Sequence, residues 1–167
     1  AVVCEGMGII TRPGAPSRRG EEEAVALALR RFYPELEAIL PPGTLEGGDV
    51  MRAGNRFFIG VSARSNEEGA RQFAAIVSRC GFEAIPVPLR EVLHLKTGVS
   101  YLENNLLLAA GEFLGHPLLA HFTAVPVPAT ESYAANSLWV NGRVLVPSGY
   151  AQTRKAIEAA GYETVPL

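Results

Sequence analysis

A segment that ends in or next to proline recurs along the chain at intervals of 40 residues. Residues 81–87 (GFEAIPV) and residues 161–167 (GYETVPL) align with an offset of 80. Residues 124–128 place a proline midway between the prolines of these two segments, and residues 37–41 form a looser, earlier copy. Each copy is typical of a short strand that proline halts, because proline cannot donate a ladder hydrogen bond. A fixed period of this length indicates a repeat architecture.

Each proline-ended segment follows two strand-like stretches joined by a tight turn, and then a helix-like stretch. The turns are Gly6-Met7, Gly54-Asn55, Asn104-Asn105 and Asn141-Gly142. The first two helices carry apolar residues at helical spacing, which predicts core-packing faces. These residues are Val25, Ala28, Leu29 and Phe32 in the first helix, and Ala70, Phe73, Ala74 and Val77 in the second. Ser65 and Glu68 have capping-box spacing at the start of the second. Residues 116–122 and 152–160 are the predicted third and fourth helices.

The repeat unit is therefore strand, strand, helix, strand, which places the chain in the α/β class. Four units are visible, over residues 1–41, 45–89, 93–128 and 135–167, and we expect them to form a single domain. Repeats either stack into a solenoid or close into a ring. One helix per unit favours a closed α/β propeller. Both ends of the chain interrupt strands, so we expect a fifth unit built from segments before Ala1 and after Leu167.

Composition excludes several classes of function. The 15 basic and 17 acidic residues give a net charge of -2, which offers no case for a nucleic acid or an anionic membrane as partner. No secretory signal is recognisable, and no apolar run approaches the roughly 18 residues that span a bilayer. The two cysteines, Cys4 and Cys80, form neither a disulfide framework nor a zinc-binding spacing. A cytoplasmic enzyme or binding protein fits best.

Glu46 and His94 stand at matching positions, where the second and third units begin. In a closed ring, equivalent positions converge near the axis, so we expect these two side chains to lie close together. A carboxylate that orients a histidine forms a working acid–base pair. The alternative for His94 is a structural histidine with satisfied hydrogen bonds.

Arg18 and Arg64 occupy matching loops, between the second strand and the helix of the first and second units. Two guanidinium groups at equivalent loops could hold a carboxylate through forked, charge-assisted contacts. Arginine near a helix N-terminus is electrostatically disfavoured, so its occurrence in both loops favours a ligand over plain solvated residues. No glycine-rich loop has phosphate-binding spacing, and we expect no metal or organic cofactor.

Four ordered motifs then identify a family. Residues 10–19 (ITRPGAPSRR), 45–50 (LEGGDV), 57–62 (FFIGVS) and 93–96 (LHLK) resemble dimethylarginine dimethylaminohydrolase along nearly the whole chain. The resemblance implies the pentein fold, a five-bladed α/β propeller of strand-strand-helix-strand units, of which about four of five would be present. This implied fold agrees with the repeat.

The resemblance also implies roles for individual residues. His94 would be the general acid/base, and Glu46 would orient it. Arg18 and Arg64 would bind the α-carboxylate of the substrate, and Asp49 would support the site from behind. Lys96 distinguishes the methylarginine hydrolases from the arginine deiminases, which tend to have aspartate at that position.

The family's nucleophilic cysteine and its guanidinium-binding acids have no counterpart in the 167 residues. We expect the cysteine beyond Leu167 and the acids before Ala1, and we predict that the chain as it stands is inactive. The implied reaction converts methylated arginine, a small-molecule substrate, to citrulline and methylamine or dimethylamine through a Cys-His-Glu covalent mechanism. The alternatives are an arginine deiminase or amidinotransferase relative, and a non-catalytic binding protein on the same fold. A homo-oligomer is compatible with the sequence.

Overall fold

The structure, a computed structural model, describes residues 1–167 and contains four small sheets that share one pattern. In each sheet two antiparallel strands are followed by a third that pairs parallel to the second. The first two sheets contain β1 (Val2–Cys4), β2 (Met7–Ile10), β3 (Leu36–Ala38), β4 (Val50–Ala53), β5 (Arg56–Val61) and β6 (Glu83–Pro88). The other two contain β7 (Val99–Tyr101), β8 (Leu106–Ala109), β9 (Thr123–Pro126), β10 (Leu138–Val140), β11 (Arg143–Val146) and β12 (Glu163–Pro166). Each sheet lies within one predicted repeat unit.

Helices fill the connection between the second and third strands in three of the four units. The α-helices are α1 (Glu21–Leu29), α2 (Glu67–Ser78), α3 (Leu95–Gly98) and α4 (Ala151–Ala159). Short 3-10 helices occur at Pro16–Arg18, Gly47–Asp49, Gly111–Phe113, Pro117–Leu119 and Ala129–Ala135. In the third unit the predicted helix over residues 116–122 shrinks to the single turn Pro117–Leu119, since Pro117 can begin a turn but the seven residues are too few for a stable helix. No helix in the structure is both long and apolar enough to cross a membrane.

The predicted strand boundaries follow from local turn chemistry and proline. Asn141 and Gly142 both have positive φ, as a two-residue hairpin turn requires, and the register pairs Val140 with Arg143 across it. The proline-ended strands β6, β9 and β12 are the third strands of their sheets, with one paired neighbour each. Proline is tolerated there because an edge position leaves one side of the strand without ladder bonds.

The chain divides into two compact parts, Ala1–Leu89 and Arg90–Leu167. In the first part α2 packs on its own sheet, where Phe57, Phe73 and Val77 are buried. The rings of Phe57 and Phe73 meet edge to face with their centroids 5.2 Å apart. Full burial of one such side chain stabilises the fold by about 1.5–3 kcal/mol. The apolar face predicted for the second helix is confirmed.

The apolar face predicted for the first helix is confirmed only in part. Phe32 is 73% exposed and Ala28 is also exposed, so neither packs into a core. The contact with the sheet is made by Leu29, which belongs to the predicted face, and by Tyr33, which does not; both lie against Gly8 of β2. The prediction assumed that the helix continues through Phe32, but α1 ends at Leu29. Beyond Leu29 helical spacing does not determine which side chain faces the sheet.

The second part has a separate core. Its buried members include Leu102, Leu108 of β8, Val144 and Val146 of β11, and Ile157 of α4. Glu131 is also buried; its carboxylate accepts hydrogen bonds from the N–H groups of Gln152 and Thr153 at the start of α4. Burial alone would raise the pKa of Glu131, but the hydrogen bonds from Thr153 and Gln152 outweigh burial and lower it.

Candidate active site

Glu46 lies in an extended stretch that leads into β4. It follows Leu45, which is fully buried, and precedes the 3-10 helix Gly47–Asp49. Leu45 donates a backbone hydrogen bond of 2.7 Å to the carbonyl of Arg12, which ties this stretch to the end of β2. Only 3% of Glu46 is exposed. A carboxylate in such a place requires donors around it, because burying an unpaired charge costs several kcal/mol.

Two hydrogen bonds and an ion pair reach the Glu46 carboxylate. The N–H of Ala15 donates to Oε1 at 3.2 Å, and Nη1 of Arg18 donates to Oε2 at 3.1 Å. Nη1 of Arg64 lies 3.7 Å from Oε1, an ion-pair distance rather than a hydrogen bond. Two guanidinium groups and a backbone amide therefore compensate the charge and fix the orientation of the carboxylate.

A second set of contacts holds the backbone of Glu46 from behind. The hydroxyl of Ser65 accepts the N–H of Glu46 at 2.9 Å and donates to Oδ2 of Asp49 at 2.6 Å. Asp49 in turn donates its own N–H to the Glu46 carbonyl at 2.9 Å. Ser65 and Asp49 are both completely buried. Asp49 lies where a residue that supports the site would lie, and its predicted role stays a prediction.

The predicted capping box at Ser65 is wrong. The residue that caps α2 is Asn66, whose side-chain oxygen accepts the N–H of Gly69 at 2.8 Å. The helix starts one residue later than the capping-box spacing indicated. Asparagine and serine are similarly good N-caps. Here the Ser65 hydroxyl binds Glu46 and Asp49, and Asn66 caps the helix.

The loops that carry Arg18 and Arg64 are in direct backbone contact. A Cβ atom added at Gly14 would lie 2.3 Å from the carbonyl oxygen of Arg64, so no other residue fits at position 14 without displacement. This contact brings Ala15 and the two arginines to Glu46. Sequence reasoning placed the arginines in equivalent loops but missed their contact with Glu46, and Gly14 was the signal that could have indicated it.

Arg18 has a second carboxylate partner. Its Nε and Nη2 donate to Glu21 at distances of 2.8–3.2 Å in a forked arrangement. The hydrogen bonds with Glu21 raise the pKa of Arg18, and they lower the pKa of Glu21. The side chains of both residues are 48% exposed, so solvent weakens this pair. Arg18 can thus hold two carboxylates at once, Glu46 on the inner side and Glu21 on the outer side.

His94 belongs to the second part of the chain. It is half-buried and extended, and it directly precedes α3, which carries Lys96. Its carbonyl accepts the N–H of Thr97 at 3.1 Å and the hydroxyl of Thr97 at 2.5 Å. Glu46 belongs to the first part, so the predicted pairing of Glu46 with His94 stays a prediction.

Cys4 does not have the surroundings of a nucleophile. Cys4 in β1 is 1% exposed, and burial raises the pKa of its thiol. A raised pKa disfavours the thiolate, the form that attacks carbon. Cys80 is exposed after the end of α2, and both thiols are free.

No model of a protein family matches the chain. An amidinotransferase from Microseira wollei, SxtG, superposes with a TM-score of 0.85 over 99% of this chain and 62% of its own, at 16% identity. At that identity the likeness shows the fold alone. The chain therefore has the pentein fold, the α/β propeller that such amidinotransferases share.

Much higher identity links the chain to one family within that fold. The N(G),N(G)-dimethylarginine dimethylaminohydrolase of Pseudomonas aeruginosa is 53% identical over 160 residues, which are 95% of this chain and 63% of that protein. A solved structure of the P. aeruginosa enzyme, a cysteine-to-serine mutant complexed with citrulline, matches with a TM-score of 0.97 at 50% identity and covers 99% of this chain and 66% of its own. The chain belongs to the dimethylarginine dimethylaminohydrolase family. It spans slightly less than two thirds of the length of these two relatives.

Proposed function

We propose that the full-length protein hydrolyses Nω-methylated arginine to citrulline and methylamine or dimethylamine. The observation that carries the proposal is the 53% identity to a named dimethylarginine dimethylaminohydrolase over 95% of this chain. The citrulline complex of the matching solved structure supports the identity of the product. The cluster around Glu46 supplies charges suited to a cationic amino-acid substrate and to acid–base chemistry.

In this proposal the two arginines bind the α-carboxylate of the substrate. Each arginine contacts Glu46 through its Nη1 atom. The other N–H donors of each guanidinium form a planar fork that matches a carboxylate. About half of the Arg18 side chain and a third of the Arg64 side chain are exposed, 48% and 33% respectively. A ligand carboxylate could reach both groups from solvent, displacing Glu21 from Arg18.

The proposed chemistry has two stages. A cysteine thiolate attacks the guanidinium carbon and forms a C–S bond; the C–N bond to the methylated nitrogen then breaks as His94 protonates the departing amine. In the second stage His94 removes one proton from water, the water oxygen bonds to the same carbon, and the C–S bond breaks as the remaining hydroxyl proton is released to solvent. Citrulline leaves and the thiolate is restored. Glu46 stabilises the imidazolium form of His94 in both stages.

We assign the nucleophile to a segment outside the 167 residues. Cys4 is buried with a raised pKa, and Cys80 is a surface residue after a helix. The chain by itself is therefore expected to be inactive. The steps need only proton transfer and a thiolate, so the proposal includes no metal or organic cofactor. The free thiols support the proposed cytoplasmic location, because disulfides are rare in that compartment.

The test uses the full-length gene product, extended past both ends of the chain. Citrulline release is measured in parallel from asymmetric dimethylarginine and from arginine, for the native protein, for His94→Ala and for the 167-residue chain. We expect release from dimethylarginine, a loss of at least about 100-fold in His94→Ala, and no release from the 167-residue chain.

Other outcomes contradict the proposal in distinguishable ways. Release from arginine alone would assign the protein to the deiminases. Release that survives His94→Ala would remove His94 from the mechanism. No release from either substrate by the folded protein would favour a non-catalytic binding protein.

A further inference from the structure

A single carboxylate holds the segment that leads to His94. Residues 90–94 form no regular helix or strand, yet three consecutive backbone N–H groups in this segment donate to Glu112. The N–H of Arg90 lies 3.0 Å from Oε2, that of Glu91 lies 2.9 Å from Oε1, and that of Val92 lies 3.3 Å from Oε1. Consecutive amides that converge on one anion form strong, charge-assisted contacts.

Glu112 is itself held in place by the packing around it. It lies in the 3-10 helix Gly111–Phe113, directly after β8 and Ala110. The ring of Phe113 is buried against Gly98 at the end of α3, where an added Cβ atom would lie 2.4 Å from the ring. The backbone N–H of Ala110 also donates to the carbonyl of Gly98 at 2.9 Å. The element that carries Glu112 is therefore fixed to α3.

The other side of His94 is fixed as well. Leu95 is completely buried, and Thr97 donates two hydrogen bonds to the His94 carbonyl. His94 thus lies between α3 and residues 90–92, which Glu112 connects to α3 through hydrogen bonds. With both flanks fixed, the backbone torsions of His94 are restricted, and this restricts the positions from which its imidazole can act.

We propose that Glu112 is a positioning residue for His94. Its carboxylate accepts hydrogen bonds from the amides of residues 90–92 and so fixes the position of the backbone that leads into His94. This inference rests on the proposed function, in which His94 transfers protons. An acid–base group must lie within hydrogen-bonding distance of the atom it serves, and a displacement of about 1 Å can cost 10²-fold in rate.

The test compares Glu112→Ala, Glu112→Gln and a matched control, Glu158→Ala, in the full-length protein. Glu158 is a carboxylate of the same part of the chain, but it bonds to the side chains of Arg154 and Thr164 rather than to the His94 segment. For each variant we measure kcat and KM for citrulline release from dimethylarginine, the stability to denaturant, and the imidazole resonances of His94 by NMR. His94 is one of only three histidines in these 167 residues, and His94→Ala assigns its signals.

We expect Glu112→Ala to lower kcat by about 10- to 100-fold with KM changed by less than about 3-fold. Glu112→Gln keeps a carbonyl oxygen at the Oε1 position, so it should recover most of that loss. Glu158→Ala should leave kcat within about 2-fold of the native value. The His94 imidazole resonances should shift or broaden in Glu112→Ala and stay unchanged in Glu158→Ala.

A purely structural role would give a different pattern. If Glu112→Ala lowers stability but leaves kcat and the His94 resonances unchanged, the proposal is overturned while the hydrolase function stands. If Glu112→Ala does not fold, Glu112→Asp decides, because its shorter side chain withdraws the carboxylate from the three amides: a lowered kcat with shifted His94 resonances supports the proposal, and native values of both overturn it. If the native protein shows no hydrolase activity, the proposed function fails, and the role of Glu112 is then judged from structure alone. Shifted His94 resonances and lost exchange protection of the amides of residues 90–92 in Glu112→Ala would support it as a positioning residue. Native values of both would overturn that role.

Discussion

Glu46 shows how a single charge is accommodated inside the first part of the chain. The desolvation of its carboxylate costs several kcal/mol if nothing compensates it. Ala15 and Arg18 donate hydrogen bonds, and Arg64 adds a weaker ion pair at 3.7 Å. Because both arginines are partly exposed, solvent screens their contribution. The buried contacts from Ala15 and Ser65 therefore do more to fix the geometry than the ion pairs do.

Removal of the Ser65 hydroxyl should loosen this geometry. In Ser65→Ala the N–H of Glu46 loses its acceptor and Asp49 loses a buried donor. A lost hydrogen bond to a buried charged group costs about 1.5–3 kcal/mol. We expect a decrease of this size in the free energy of unfolding of the full-length protein, measured by chemical denaturation, and a lower kcat.

Ser78→Ala is the matched control for this experiment. The hydroxyl of Ser78 is exposed at the end of α2 and donates only to the carbonyl of Ala75. Its removal should change stability by less than about 0.5 kcal/mol. Equal effects of the two substitutions would show that Ser65 does not hold Glu46.

Among the elements, the loop between β2 and α1 depends on one glycine. Gly14 touches the backbone of Arg64 so closely that a methyl group would force the two loops apart. Gly14→Ala should therefore displace Ala15 and Arg18 from Glu46. Overpacking of this kind costs about 1–3 kcal/mol, and we expect a raised KM for dimethylarginine, since both proposed carboxylate-binding arginines move.

Steady-state kinetics and denaturant unfolding of Gly14→Ala check this expectation. The control is Ser17→Ala, an exposed position in the same loop. It should leave KM and stability near their native values. A native KM in Gly14→Ala would show that the close approach of the loops is not needed for substrate binding.

Helix α2 carries a surface pair whose titration can be measured directly. Hydrogen bonds from Arg71 and Gln72 lower the pKa of Glu68 from 4.5 to about 2. The ionised form is thus favoured in the folded state, so the contribution of Glu68 to stability is present above pH 4.5 and disappears as the pH falls towards 2. The contribution is small because the pair is exposed.

An NMR titration of the Glu68 carboxyl carbon tests this expectation. We expect a midpoint near 2 in the native protein and a higher midpoint in Arg71→Ala. Arg154→Ala, which removes an arginine from α4 instead, should leave the Glu68 midpoint unchanged. A native midpoint near the ordinary value of a glutamate would contradict the pairing.

For the whole molecule, the repeated arrangement of strands could be predicted because its causes are local. Turn residues such as Asn141-Gly142 adopt positive φ readily, and proline restricts where a strand can pair. These preferences act between residues close in sequence, so they can be predicted without tertiary information. The pentein fold and the family follow from the same ordered motifs.

Two of the positions that the sequence did not predict correctly depend on packing. The spacing of Phe32 suggested a core residue, but α1 ends before it and Tyr33 makes the contact. Ser65 and Asn66 are both good helix caps. Asn66 is the cap because the Ser65 hydroxyl is hydrogen-bonded to Glu46 and Asp49 instead.

The sequence by itself therefore determined the repeat, the class of fold, the family and the types of residue in the candidate site. Only the tertiary structure decided that Arg18 and Arg64 converge on Glu46, and that Glu112 fastens the segment before His94. These contacts join residues between 18 and 28 positions apart, a separation that no local preference governs. They form because Gly14 lets the backbone of Arg64 approach and Gly98 lets the ring of Phe113 approach, which brings distant loops together. In addition, a buried charge requires donors from whichever groups pack around it.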